Sequence, residues 1–163
     1  MRPTPAPAAP GQESVWDYPR PPRVERTAEH AVVTLDGHPV AATTDAVRVL
    51  ETSHPPVYYL PVDAFEPGVL ESAVGSSVCE YKGVAGYVSV RVGDRLLSRV
   101  GWTYPAPLPG YEVLADRVAL YADDLTCTVD GERVQPQAGG FYGGWITSRV
   151  VGPFKGSPGS RGW

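Results

Sequence analysis

The sequence predicts a mainly β fold: compact antiparallel sheets, one or two short helices, and extended N- and C-terminal arms. Three observations carry this. Short runs of β-branched and aromatic residues follow one another at close spacing, separated by Gly and Pro turns. In residues 86–92, Tyr87, Ser89 and Arg91 alternate with Val88, Val90 and Val92, which is the period of a half-buried strand. Asp36-Gly37 and Asp130-Gly131 each stand between two such runs, the chemistry of a two-residue hairpin turn. At 163 residues the chain fits one domain.

Taken in order, residues 1–13 are rich in Pro and Ala and are expected to form a disordered tail. The run Trp16-Asp17-Tyr18-Pro19-Arg20-Pro21-Pro22 is expected to be extended, with its aromatics as anchors. Residues 31–35 and 38–41 form the first hairpin. Thr44 or Asp45 is placed to cap a short helix reaching Leu50. Val57-Tyr58-Tyr59-Leu60 then reads as a short strand. Phe65-Glu66-Pro67-Gly68 is a turn leading to a helical turn or a strand, followed by strands over 76–81 and 86–92. Gly93-Asp94 turns the chain into 95–104, completing a second hairpin. Residues 105–109 are a proline loop, 111–115 one helical turn, and 117–121, 125–129 and 132–134 the remaining strands. The β domain therefore spans 14–134. The arm over 135–163 loses periodicity and mixes glycine with Phe141, Tyr142, Trp145, Phe154 and Trp163. So aromatic an arm is expected to pack on the domain or to cover a second subunit, which would make a homodimer.

Composition narrows the function classes. A net charge of −4 and a pI near 5.3 argue against nucleic acid or an anionic membrane as partner, since both require a basic footprint. No apolar run approaches the ~18 residues of a spanning helix, and the N-terminal stretch lacks the apolar core of a secretory signal. A cytoplasmic protein is the expectation. Cys79 and Cys127 form neither a disulfide framework nor a C-x-x-C pair, so no cofactor is assigned. Twelve arginines stand against two lysines, with no asparagine and a single isoleucine, as a GC-rich coding bias would produce. Both lysines occur in the same setting, Tyr81-Lys82-Gly83 and Phe154-Lys155-Gly156. Against that bias the two amines look chosen for chemistry that Arg does not supply, with coincidence as the competing explanation.

The stretch Glu51-Thr52-Ser53-His54-Pro55-Pro56-Val57-Tyr58-Tyr59-Leu60-Pro61 concentrates the candidate chemistry. Its prolines stiffen the backbone and force His54 out of any helix. Glu51 would orient the imidazole and His54 would act as acid or base; the structural alternative is a histidine capping a helix C-terminus. Cys79, Tyr81 and Lys82 form a second cluster. A cysteine beside an ammonium is a pairing that makes a nucleophile, and a lysine in an apolar pocket forms Schiff bases or binds carboxylate and phosphate. A buried structural thiol and a snorkelling lysine explain the same residues. Tyr58, Trp102 and Tyr104 would wall a ligand pocket by stacking, or else belong to the core.

These motifs carry a family resemblance. Residues 49–61, then Cys79-Glu80-Tyr81-Lys82-Gly83 leading to Tyr87-Val88-Ser89-Val90, then Trp102-Thr103-Tyr104-Pro105, resemble the bacterial domain of unknown function 427 family, also catalogued under a nucleotidyltransferase-like label. The resemblance covers roughly residues 23–134. It implies a compact β fold similar to the Mss4-like or β-tent group, and no established activity. Many members read Cys-Pro-Tyr-Lys-Gly where Glu80 stands here, and many end in a His- and Arg-containing segment rather than a Gly/aromatic arm. The cysteine pairs that hold zinc in β-tent domains are absent, and Asp123-Asp124 lacks the context of a nucleotidyltransferase metal pair.

The sequence thus points to a small-molecule-binding domain whose pocket gathers Glu51, His54, Tyr58, Tyr81, Lys82, Trp102 and Tyr104. Two alternatives use the same residues or the arms. One is a small enzyme with His54 as acid/base, Lys82 as clamp or amine nucleophile and Cys79 as a less favoured nucleophile. The other is an interaction module that binds through its aromatic arms.

Overall fold

The computed structural model describes residues 2–163. Fifteen strands occur in chain order: β1 (Glu13–Ser14), β2 (Arg23–Thr27), β3 (Ala31–Leu35), β4 (His38–Thr43), β5 (Ala46–Leu50), β6 (Val57–Pro61), β7 (Leu70–Cys79), β8 (Gly83–Val92), β9 (Arg95–Thr103), β10 (Arg117–Leu120), β11 (Thr126–Val129), β12 (Glu132–Arg133), β13 (Gln135–Pro136), β14 (Trp145–Ile146) and β15 (Val150–Val151). Among the described residues the helical content is three single 3-10 turns, at Val15–Asp17, Val62–Ala64 and Glu112–Leu114. None is long and apolar enough to cross a membrane.

A seven-stranded antiparallel sheet in the order β2-β5-β6-β10-β9-β8-β7 is the main layer, and a four-stranded sheet, β12-β11-β3-β4, is the second. Side chains alternate across a strand, so the large sheet presents two different faces. Tyr58, Leu60, Val90, Val100, Val118 and Leu120 share one buried cluster with Val33, Leu35 and Cys127 of the smaller sheet. Tyr59, Ala85, Trp102 and Ala119 point the other way and cluster with Tyr104, Tyr111 and Leu114. Both sides of the sheet are covered, the second by loops and by the C-terminal arm.

Two stretches depart from expectation. Residues 46–50 form strand β5, not a capped helix, paired with β2 and β6 and buried at every position. Ala-Val-Arg-Val-Leu carries no alternation because both faces are packed, and a short apolar run of this kind has the same pattern as a buried helix segment. Residues 70–79 likewise settle as a long strand, and Val15–Asp17 coils into a 3-10 turn within the stretch expected to be extended.

The arms are bound to the domain. Glu13 and Ser14 pair in parallel with Val150 and Val151, and the Ala6 N–H donates to the Gly152 carbonyl. So the stretch expected to lack order touches the C-terminal arm. Trp145 is buried, stacks on Tyr58 with ring centroids 5.2 Å apart, and donates its indole N–H to the Leu120 carbonyl at 2.8 Å.

A charged network holds the same region. The fully buried Arg48 guanidinium donates to both Glu13 carboxylate oxygens, at 3.0 and 3.2 Å, and to Glu25 at 2.5 Å. Arg149 reaches Glu13 at 3.1 Å and Glu29 at 2.9 Å, and the Tyr58 hydroxyl donates to Glu29. An unpaired buried guanidinium would be very costly, so β5 requires the N-terminal arm in place. For Glu13, burial raises the pKa, but hydrogen bonds from Arg48 and Tyr18 and the nearby guanidinium charges lower it further, to about 2 from 4.5.

Its folded pKa is the depressed one. The stability Glu13 contributes is therefore complete above about pH 4.5 and is lost as pH falls toward 2. Glu13→Gln is expected to lower the unfolding free energy at pH 7 by about 2 kcal/mol and to flatten the acid limb between those values. Urea melts at stepped pH measure both.

Candidate functional site

The second face of the large sheet holds a cavity of about 250 Å³. Beneath it runs a row of residues directly opposite one another on neighbouring strands, Val47, Tyr59, Ala119, Trp102 and Tyr87, of which Tyr59, Trp102 and Tyr87 form its floor. Ala119 is small, so Tyr59 and Trp102 lean together above it, and the Trp102 indole N–H donates to the Tyr59 hydroxyl at 3.1 Å. Tyr121 packs on Trp102 with centroids 4.8 Å apart. Val49, Val57, Cys79, Tyr104, Phe141 and Tyr142 extend the wall.

His54 enters this cavity from the turn after β5. The His54 N–H donates to the Glu51 carbonyl at 3.0 Å, and Ser53 takes φ +72°, a left-handed conformation that is costly for a residue with a Cβ. The Ser53 hydroxyl is fully buried without a hydrogen-bond partner among the described residues. Both arms clamp the turn. Ser53 donates its N–H to the Val15 carbonyl and accepts from the Lys155 N–H at 2.8 Å. The Thr52 hydroxyl donates to the Tyr18 carbonyl, and the Trp145 N–H donates to the Pro56 carbonyl.

The Thr52 carbonyl accepts from Arg20 at 2.9 Å and lies 3.0 Å from His54 Nδ1. That places the proton of a neutral imidazole on Nδ1 and leaves Nε2 as the basic nitrogen. Glu51 sits 3.8 Å from Nδ1 and is engaged by Arg20 at 3.2 Å. Tyr142 meets the imidazole edge-on at 4.7 Å. Burial lowers the pKa of His54 below 6.5; Lys155 and Arg20 push the same way, while Glu51 and the Thr52 carbonyl oppose them. His54 is neutral at pH 7.

Both lysines of the chain line this one cavity. Lys82 is only 9% exposed, and its ammonium lies 5.8 Å from the centre of the Tyr104 ring. The Lys155 ammonium lies 5.4 Å from the centre of Tyr142 and donates to a main-chain oxygen of Trp163 at 3.2 Å. Lys82 has no carboxylate partner among the described residues. The recurring Lys-Gly pair has a backbone cause. Gly83 and Gly156 take φ +113° and +128°, and a Cβ on Gly156 would stand 2.1 Å from the Ala138 carbonyl. Each glycine lets the chain turn so that the preceding lysine can face the cavity.

Of the residues picked out in the sequence, Glu51, His54, Cys79, Lys82, Trp102 and Tyr104 line the cavity. Cys79 lies close enough to Tyr104 that, after burial, it contributes to raising that phenol's pKa. Tyr58 does not belong here. It faces the opposite side of the sheet, buried against Trp145, and Tyr59 takes the place assigned to it. Tyr81 packs at the margin of the cavity cluster without lining the cavity. Sequence reasoning missed Tyr59, Tyr87, Tyr121 and Tyr142; strand parity was the signal for the first two. Lys155 was singled out only by its echo of Tyr81-Lys82-Gly83.

Residues 23–135 match the family described as a domain of unknown function (DUF427), and the chain belongs to that family. No curated protein matches the chain significantly. Residues 1–22 and 136–163 lie outside the match, yet they supply the clamps on the His54 turn and the cavity residues Phe141, Tyr142 and Lys155.

Gly156→Ala is expected to cost about 1–3 kcal/mol, because the methyl meets a backbone carbonyl and the left-handed φ is lost. Thermal melts measure this loss, and detachment of the arm should also quench or shift Trp145 fluorescence. An unchanged melt would show that the arm tolerates the new Cβ.

Proposed function

We propose that this member of the family binds a small organic anion in the cavity between His54 and Lys82. The observation that carries the reading is Lys82, a side chain only 9% exposed that lines the cavity with its ammonium beside Tyr104 and unmatched by any acid among the described residues. A desolvated cation without a counter-charge is costly, and an incoming carboxylate or phosphate relieves that cost through charge-assisted hydrogen bonds. Tyr59, Trp102 and Tyr121 supply an apolar bed for the rest of the molecule.

A second reading rests on His54. A neutral imidazole that lines the cavity with Nδ1 engaged by a carbonyl, leaving Nε2 as its basic nitrogen, is arranged as a general base, with Lys82 as the clamp on developing negative charge. The binding function is the simpler of the two and does not require that step.

Calorimetry with benzoate and phenyl phosphate tests the binding reading. Wild-type protein should bind at least one of them, and Lys82→Gln should weaken that binding at least tenfold, about 1.4 kcal/mol. Binding unaffected by Lys82→Gln would remove the proposal, as would the absence of binding to both probes.

The pH dependence has a definite sign. In the free protein the His54 pKa lies below 6.5, and an anion beside the ring raises it. Binding should therefore take up protons and tighten as pH falls from 7.5 toward 6. His54→Asn should abolish that slope. An NMR titration of His54 with a midpoint at or above 6.5 in the free protein would contradict the premise.

A further inference from the structure

We propose that the cavity captures organic acids carrying a carbonyl-conjugated alkene, and that the Cys79 thiol adds to that alkene while Lys82 holds the acid. This deepens the reading above and rests on it. The two cysteines of the chain stand in opposite settings. Cys127 is fully buried in the core shared by the two sheets, and burial pushes its thiol up to about 12, which leaves it inert. Cys79 is half-buried and lines the cavity. The reachable thiol of this protein therefore belongs to the space in which the ligand sits.

The hairpin between β7 and β8 sets thiol and amine on one wall. Cys79 and Gly83 are paired across the two strands, so only Glu80, Tyr81 and Lys82 make the connection. The Leu108 N–H donates to the Lys82 carbonyl at 2.9 Å and fixes the end of this turn. Tyr104 then joins the two groups. Its ring centre lies 5.8 Å from the Lys82 ammonium, and its hydroxyl lies beside Cys79.

A cysteine in a wall is ordinarily a small apolar side chain and nothing more. Lys82 is what gives this one a reactant. It is more than nine-tenths buried, lines the same cavity and has no carboxylate partner among the described residues. An acid drawn to that amine lays its carbon chain along the wall that Cys79 shares. A held electrophile then reacts as though its local concentration were far higher.

The step balances without a further reactant. A sulfur–carbon bond forms at one alkene carbon as the π bond breaks. The π pair moves to the carbon beside the carbonyl, and that carbon gains a proton to match the one the thiol gives up. Nothing leaves and nothing is oxidised.

Labelling rates with trans-3-benzoylacrylate and its uncharged amide decide the question, each divided by the rate with a neutral thiol, N-acetylcysteine amide. Intact-protein mass spectrometry counts the adducts and peptide mapping locates them. Wild-type protein should gain a single adduct at Cys79, with Cys127 left free as a report of the intact core. The normalised rate of the acid should exceed that of the amide by about tenfold or more. Lys82→Gln should remove this preference while leaving the amide rate within about twofold, since the amide carries no charge for Lys82 to hold. Benzoate should slow the acid, and Cys79→Ser should abolish labelling. An acid no faster than its amide, a preference that survives Lys82→Gln, or adducts at Cys127 instead of Cys79 overturns the covalent inference. Lys82-dependent benzoate binding would still sustain the underlying reading in that case. If benzoate and phenyl phosphate also fail to bind, both fall.

Discussion

Strand β6 sits third from one edge of the seven-stranded sheet and fifth from the other, and its two adjacent tyrosines face opposite ways. Tyr58 is buried against Trp145 and donates to Glu29. Tyr59 accepts from Trp102 on the cavity floor. The constraint is only the period of a strand, yet it divides the molecule. One side becomes a packed interface between two sheets; the other becomes a face with a hollow. A slip of one residue would send Tyr59 into the core and Tyr58 into the cavity. Pairing of β6 with both β5 and β10 prevents it.

The same strand explains why the arms are not accessories. Trp145 of the C-terminal arm is the ring on which Tyr58 rests, so the inner sheet interface is completed by a residue outside the family domain. Arg48 on neighbouring β5 is buried with its charge and needs Glu13 from the N-terminal arm as well as Glu25 from β2. Burying a guanidinium is tolerable when its charge is paired; the two terminal nitrogens of Arg48 are so paired, while its Nε has no partner among the described residues. Glu13 and Arg149 then tie the two arms to each other. Core, arms and site share contacts, so loosening one is felt in the others.

The site shows a related economy. Its turn carries a left-handed Ser53 and a buried hydroxyl without a partner, features that persist where surrounding structure over-determines them. Here the surrounding structure is both arms, through Val15, Tyr18, Arg20, Trp145 and Lys155. The outcome is a neutral His54 in a fixed orientation and two ammonium groups facing one cavity. Preorganisation of this kind lowers the ordering cost of binding.

Much of this was legible from the residues. The Asp-Gly turns, the alternation in 86–92 and the proline-framed 51–61 stretch are local signals, and they place the hairpins, strand β8 and the site turn correctly, because turn chemistry and strand period act over a few residues. The two Lys-Gly pairs were visible too, though only as an anomaly of composition. What the sequence could not supply was parity and partnership. Ala46–Leu50 is a strand because β2 and β6 flank it on either side and both faces are buried, which erases the alternation that would have declared it. Whether Tyr58 or Tyr59 faces the cavity depends on which side of the sheet meets β3 and β11. That Lys155 stands with Lys82, 73 positions earlier in the chain, depends on glycines that let the arm fold back across the sheet. Local chemistry determined the elements; long-range burial decided which of their faces became core and which became site.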